Sequence, residues 1–549
     1  MTPSVMAAGA SKPACNMNNP ARTARMGPAG PANFLRGGDI ASRLPQPAAL
    51  CNSVRGTWRI ACWMKGKGPL GDSFYWYDLE TSGTDPRWDR ILQFAGLRTG
   101  PDLEPMGDEF VTYVHLPDDV LPDPDAALVT GITPQRTRQE GLSEWRALAK
   151  INALFSVPGT CVAGYNNLRF DDEFIRHGLY RNLMDPYARE WQGGNSRWDL
   201  MDLVRAAGAL RPEGIEWPRD DNGLPVYSLS ALTDANGLEH GQAHDALSDV
   251  TATVALARLL KERQPRLFAY FLGLRFKRLA GDLLLPLGGE ALAHVSGKYP
   301  RRRYGFAPVV AVCRHPANGN SVIVADLGED IEALIEWDAD QIREALFGAE
   351  VAVRPPLKEI RLNKCPFIAP LSVVRPADAE RLGYDADLVA ERLRRLRGAG
   401  VERKIEDVYR QEQPVAAADV EAALYDGFLG DDDRNRCLSF NQALAEGRWL
   451  DLDYDDPRLP ELAKRVKARS FPERLTDAEQ ARWRDWVVAK LQADQARWRT
   501  MAQVEARLDE LRKQGADGDG VLRAIRAHLD GLREPLIKSR SLSASLVED

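Results

Sequence analysis

Four aromatic residues stand in succession at Phe74-Tyr75-Trp76-Tyr77, and Asp78-Leu79-Glu80 follows them directly. So dense a run of rings reads as a β-strand. Side chains two apart on a strand share a face, so Asp78 and Glu80 project to the same side. Two carboxylates held side by side repel each other unless a cation lies between them. Hard oxygen ligands of this kind suit magnesium or manganese. Taken alone, a D-x-E pair also reads as the solvated edge of a strand, and the further motifs have to decide between the two.

Two further segments carry chemistry. Tyr165-Asn166-Asn167-Leu168-Arg169-Phe170-Asp171 follows a short apolar strand expected over 160–165 and leads into a helix. Asp171 at the helix start reads either as a cap or as another ligand. Ala243-His244-Asp245-Ala246-Leu247-Ser248-Asp249 opens a helix expected over 244–263. His244 and Asp249 are five apart, about 140° of rotation on an ideal helix. They serve one site only if His244 sits at the helix entry. The unperturbed pKa of histidine lies near neutrality, which makes His244 the natural base for a water nucleophile. Attack on a phosphodiester builds charge on the phosphoryl oxygens, which two divalent ions about 3.5–4 Å apart would stabilise. Asp78, Glu80, Asp171 and Asp249 have the ligand chemistry for that, and Glu80 is placed to contact a terminal 3′-hydroxyl as well.

Taken in order, D-x-E, N-x-x-x-F-D and H-x-x-x-x-D resemble the DEDDh exonuclease superfamily. The resemblance is closer still to the bacterial exonuclease I (exodeoxyribonuclease I) family. It rests on Asp78-Leu79-Glu80-Thr81-Ser82-Gly83-Thr84, Leu128-Val129-Thr130-Gly131-Ile132-Thr133-Pro134-Gln135, Asn195-Ser196-Arg197-Trp198-Asp199 and Leu210-Arg211-Pro212-Glu213-Gly214-Ile215. His294-Val295-Ser296-Gly297 and Asn363-Lys364-Cys365-Pro366 extend it. It implies an α/β fold: an RNase H-like exonuclease domain, an SH3-like β-rich domain and a C-terminal helical domain. The activity implied is a magnesium-dependent, processive 3′→5′ exonuclease. It would degrade single-stranded DNA to 5′-mononucleotides in repair and recombination, using two Mg2+ ions, with Mn2+ able to substitute. Single-stranded DNA-binding protein is an implied partner, and a monomer is expected. By the same resemblance, Arg176, Tyr187, Trp191 and Arg205 match substrate-contacting positions, alongside Glu80. Ser228 falls where a basic contact is expected. Between the second and third motifs, Tyr180, Arg181, Arg189, Arg197 and Trp198 join these to interleave rings with guanidinium groups, the pattern that holds single strands by stacking and phosphate contacts.

The expected domains are 72–265 for the exonuclease, 266–417 for the SH3-like domain and 418–537 for the helical domain, with a flexible tail at 538–549. Strands are expected at 91–98 and 110–116, and helices near 143–155, 171–183 and 198–210. The middle region reads as short β elements, with a hairpin around Asn318-Gly319. Residues 413–418 read as a linker. Val420, Leu424 and Phe428 are spaced as one helix face, and Trp483, Trp486, Leu491 and Trp498 continue at helical intervals.

Residues 1–71 differ from the rest. They hold nine basic residues, the single acid Asp39, and many Ala, Gly, Pro, Ser and Asn. That composition reads as a disordered leader, or as sequence upstream of a true start at Met64. With a net charge of −7, bulk attraction to nucleic acid is absent, and a local basic groove has to supply it. Seven cysteines without a C-x-x-C pair suit a reducing cytoplasm. No apolar run is long enough to span a bilayer. Two other functions compete: an RNA-trimming or polymerase-proofreading exonuclease built on the same site, and a non-catalytic single-strand DNA-binding scaffold.

Overall fold

The computed structural model describes residues 72–238, 245–348, 353–410, 417, 419–494, 496–516 and 520–545, with side chains to 533. The leader, His244 and nearly all of the expected linker lie outside the described residues.

The aromatic run forms β1 (Ser73–Thr81), and all nine of its residues are buried. It sits at the centre of a five-stranded sheet ordered β3-β2-β1-β4-β5. β2 (Ile91–Thr99) and β3 (Phe110–Tyr113) make the expected antiparallel meander. β4 (Thr160–Gly164) and β5 (Ser196–Asp199) add in parallel. Alternation along β1 sorts its side chains between two cores. Phe74 and Trp76 pack with Trp198, Leu203, Val250 and Val254, under the helices Leu200–Leu210 and Ala246–Arg263. Tyr75, Tyr77 and Leu79 pack with Phe94, Phe155, Phe174 and Ile175, under the helices Glu144–Phe155 and Asp171–Arg181. Asp78 and Glu80 thus continue the face covered by the helix of Asp249.

A second sheet, entirely antiparallel, runs β10-β6-β7-β8-β9. Its strands are β6 (Leu292–Val295), β7 (Phe306–Arg314), β8 (Ser321–Asp326), β9 (Leu357–Arg361) and β10 (Phe367–Pro370). The hairpin expected at Asn318-Gly319 joins β7 to β8. Ala293, Val295, Phe306 and Phe367 share one core with Trp198 and Phe271, so this sheet is fused to the first rather than tethered to it. The helical C-terminal part clasps the other side. Leu424, Phe440, Leu462 and Phe471 pack on Trp145 and Tyr180, while Leu491 and Leu508 pack on Leu121 and Ala127.

The structure corrects several expectations. Trp198 and Asp199 belong to β5, and the helix begins at Leu200 with Asp199 as its cap; four residues are too few for a period-two signal. β3 stops at Tyr113, although Val114 bridges to Leu142. The helix expected to close at 263 does end at Arg263, and Pro265 opens the next one, Pro265–Gly273, where its missing N–H costs nothing. The middle region holds more helix than strand, for example in Ala339–Phe347 and Ala386–Ala399. Val420–Tyr425 is a 3-10 segment that ends before Phe428, which is 77% exposed. Trp498 lies beyond the end of helix Asp477–Leu491 and donates its indole N–H to Lys490 O. The last helix, Val521–Ser545, runs into the expected loose tail. No helix among the described residues is long and apolar enough to cross a membrane.

Candidate active site

The site forms where β1 and β4 end side by side. Trp76 lies level with Ala163, so β1 runs on past the last residue of β4 by Asp78 and Glu80. Carboxyl ends of neighbouring parallel strands are where α/β sheets place their ligands. The exit from β4 is tight. A Cβ at Gly164 would lie 2.7 Å from Tyr77 O and 2.9 Å from Asn167 Cβ. Asn166 then takes a left-handed conformation (φ 63°), which Asn tolerates better than most residues, and its N–H donates to Asp199 Oδ1 at 2.9 Å. This turn delivers Asp171 to the first position of the helix Asp171–Arg181. Asp171 is not the cap: Phe170 holds that position, and the Asp172 N–H donates to Asn167 O at 2.9 Å.

Asp78, Glu80 and Asp249 offer carboxylate oxygens that all lie within 4.8 Å of one another. Asp78 and Glu80 are buried and Asp249 is half-buried. Asp249 reaches them because its helix crosses the face of β1 on which they stand. Asp171 is not a member of this group; its helix packs on the opposite face of the sheet. The three-carboxylate group fits a divalent cation: all donors are hard oxygens, and burying three like charges at this spacing is costly without a counter-charge. The residue after His244 is anchored at the same place. Asp245 is the N-cap of helix Ala246–Arg263 and accepts from Gln93 Nε2 at 3.3 Å, and Gln93 is the cross-strand neighbour of Glu80. Gln93 has no signal in the sequence beyond its place opposite Glu80.

Behind the site lies a buried ion network. Asp172 accepts from Arg189 at 2.6 Å and also from Arg197. Burial alone would raise the Asp172 carboxyl, but these guanidinium groups hold it well below the usual range. Burial, with Asp172 and Asp171 close by, keeps the Tyr77 phenol well above its ordinary value. Asp199 shifts the other way: burial and then neighbouring Asp202 push it up to about 6, against Arg169 and Arg205.

The expected substrate contacts are spread over this surface. Arg176 is buried, bonds Glu190 at 2.7 Å and Glu173 at 3.0 Å, and lies over the Tyr187 ring at 5.4 Å. Trp191 is 65% exposed. Arg205 bonds Asp202 at 3.1 Å, and a Cβ at Gly297 would come 2.8 Å from its guanidinium carbon, which ties the His294–Gly297 segment to this helix. Ser228 precedes helix Leu229–Ala235 without capping it through its side chain. The other interleaved residues serve the interior: Arg181 pairs with Glu144, Arg189 and Arg197 with Asp172, Trp198 is core, and the Tyr180 hydroxyl donates to Val420 O. Arg301, Arg302 and Arg303 pair with Asp220, Glu329 and Asp326 respectively. Phe428, expected in a helix face, instead stands exposed with its ring 6.0 Å from Tyr187.

Comparison with known proteins gives consistent matches. Family models match as Exonuclease over residues 75–257, Exonuclease I SH3-like domain over 275–411 and Exonuclease I C-terminal domain over 418–532. The chain is 43% identical over 429 residues to exodeoxyribonuclease I of Haemophilus influenzae, covering 76% of this chain and 91% of that protein. A crystal structure of E. coli exonuclease I in complex with a dA16 oligonucleotide is 40% identical, with a TM-score of 0.79, covering 84% of this chain and 100% of that one. A structure of SSB/exonuclease I with an inhibitor is 40% identical, with a TM-score of 0.76 over the same shares of the two chains.

Proposed function

The chain belongs to the exonuclease I family and is a 3′→5′ exonuclease of single-stranded DNA, and from that premise we propose that it acts processively with two magnesium ions. It releases 5′-mononucleotides in the cytoplasm, as a monomer, in DNA repair and recombination. The observation that carries the metal reading is the meeting of Asp78, Glu80 and Asp249 within 4.8 Å.

Asp78, Glu80 and Asp249 would hold a divalent ion, and Asp171, arriving from the other face of the sheet, would join them as a ligand for the pair of ions. When bound, the ions supply charge neutralisation at the attacking and leaving oxygens. Glu80 also accepts from the terminal 3′-hydroxyl, which confines cutting to the strand end. His244 removes the proton from the attacking water. Its neighbour Asp245 is fastened beside Glu80 through Gln93, which brings the chain at that point to the site. Tyr187 and Trp191 stack bases, and Arg176 and Arg205 meet the strand near them. With Ser228 in place of a basic residue, one phosphate contact passes to a backbone amide. E. coli exonuclease I is solved with a dA16 oligonucleotide and another structure pairs the enzyme with SSB, which supports single-stranded DNA and single-stranded DNA-binding protein as partners here.

The test uses 3′- and 5′-labelled DNA and RNA oligonucleotides with magnesium, with manganese or with EDTA. Magnesium-dependent loss of the 3′ label from DNA is expected first, with ladders shortening from that end. Preference for RNA would point to trimming, and binding without cutting to a scaffold; either outcome defeats the proposal.

A further inference from the structure

Glu173 lies two residues beyond Asp171 on the same helix and is 9% exposed. Its carboxylate meets groups from three separate stretches of chain. Lys364, from the Asn363–Pro366 segment between β9 and β10, brings Nζ to 2.7 Å of Oε1. Tyr425, from the helical part, donates its hydroxyl to Oε2. Arg176, one turn along the same helix, donates to Oε1 at 3.0 Å. The partners are linked again behind it. Lys364 also donates to Leu168 O, in the loop that delivers Asp171, and Arg176 reaches the Tyr425 hydroxyl at 3.4 Å. One residue earlier, Asp172 holds Arg197, whose Nη2 donates to Asn363 O at 3.1 Å.

The first turn of this helix therefore carries three acids with three tasks. Asp171 is the ligand proposed above, Asp172 is held in the interior by Arg189 and Arg197, and Glu173 faces the junction of the parts matched at 75–257, 275–411 and 418–532. Shielded ion pairs of this kind differ from surface pairs: removing one partner leaves buried charge without compensation. The apolar contacts between the parts are elsewhere, around Trp198 and Trp145. Loss of Glu173 should loosen the junction without dismantling the fold.

We propose that Glu173 is a positioning residue, a latch that holds the SH3-like and helical parts against the helix of Asp171 and so sets how many nucleotides are removed per encounter. The inference rests on the processive-exonuclease reading above. It is tested on the full chain with Glu173→Ala, Glu173→Gln and Tyr425→Phe. One assay counts nucleotides removed from a long 5′-labelled single strand with excess unlabelled DNA as a trap. A second measures single-turnover release of the first nucleotide at saturating DNA. A third follows hydrogen exchange at 362–366 and 420–425. For Glu173→Ala the run length should fall about tenfold, a shift in partition worth one buried junction pair. The first cleavage should stay within about twofold, and exchange should quicken in both segments. Glu173→Gln keeps a carbonyl acceptor and should recover most of the run length; Tyr425→Phe should reproduce part of the loss. Unchanged run length and exchange in Glu173→Ala would overturn the latch, as would an equal fall in first cleavage and run length. If the parent chain proves distributive, the processive reading falls by itself, and exchange at the two segments still decides whether Glu173 holds the junction. Should Glu173→Ala not fold, an unaltered run length in both remaining variants refutes the proposal.

Discussion

Asp249→Asn removes one negative charge from the group it forms with Asp78 and Glu80 and keeps the volume of the side chain. At 4.8 Å, the outer limit of their separation, two unit charges repel by about 3.5 kcal/mol at an effective dielectric of about 20. Asp249 takes part in two such pairs. It is half-buried, so solvent screening and its other contacts reduce the sum, and a net gain of about 1–2 kcal/mol for the metal-free protein is expected. For a chain of this size that corresponds to a rise of about 1–2 °C in unfolding temperature. Activity should move oppositely, by about 10³-fold or more, because the same charge is needed to hold a cation at the cleavage site. The parent should also be stabilised by magnesium, by about 2.7 kcal/mol at a concentration a hundred times the dissociation constant; the variant should lose most of that response. The assay is thermal unfolding of parent and variant in EDTA and in saturating magnesium, with hydrolysis of a labelled oligonucleotide alongside. A variant less stable than the parent in EDTA, or one that responds to magnesium as the parent does, would refute the charge argument. An ordinary packing defect lowers stability under both conditions and cannot mimic the opposed signs.

Other perturbations read different parts of the site. His244→Ala should slow cleavage by about 10²–10⁴-fold with little change in DNA affinity, measured by single-turnover kinetics and anisotropy; near-normal turnover would remove it as the base. Trp191→Ala should weaken binding of a single strand by about 1–3 kcal/mol, read as a raised KM with kcat nearly kept, since an exposed ring contributes through stacking. Asp199→Asn keeps an acceptor for the N–H groups of Asn166 and Met201, which donate at 2.9 and 3.0 Å. Because the Asp199 carboxyl is raised to about 6 in the fold, its favourable contribution is present below the unfolded value and is lost as pH rises through 6. The stability of the Asn variant relative to the parent should therefore improve by about 1–3 kcal/mol between roughly pH 4 and pH 7. A difference that is flat with pH in chemical denaturation would show that Asp199 is not held raised.

The sequence by itself determined β1, because a run of four aromatic residues favours a strand, and the structure added that both of its faces are covered. It also determined that Asp78 and Glu80 share a side, since period-two geometry allows nothing else, and that the chain resembles exonuclease I, through motifs in a set order. Short elements were less legible. β5 is four residues long and carries no usable period, and Val420–Phe428 has helical spacing that a 3-10 turn and an exposed ring do not honour. What only the tertiary structure decided is which charges meet. Arg181, Arg189 and Arg197 looked available to a phosphate, yet they are consumed by Glu144 and Asp172. Asp249 joins Asp78 and Glu80 because its helix crosses their face of the sheet, whereas Asp171 comes from the opposite face. The reason is physical: strand and helix periods are local and are written in neighbouring residues. The partner of a buried charge is chosen by which distant segments pack together, and a composition or spacing carries no record of that.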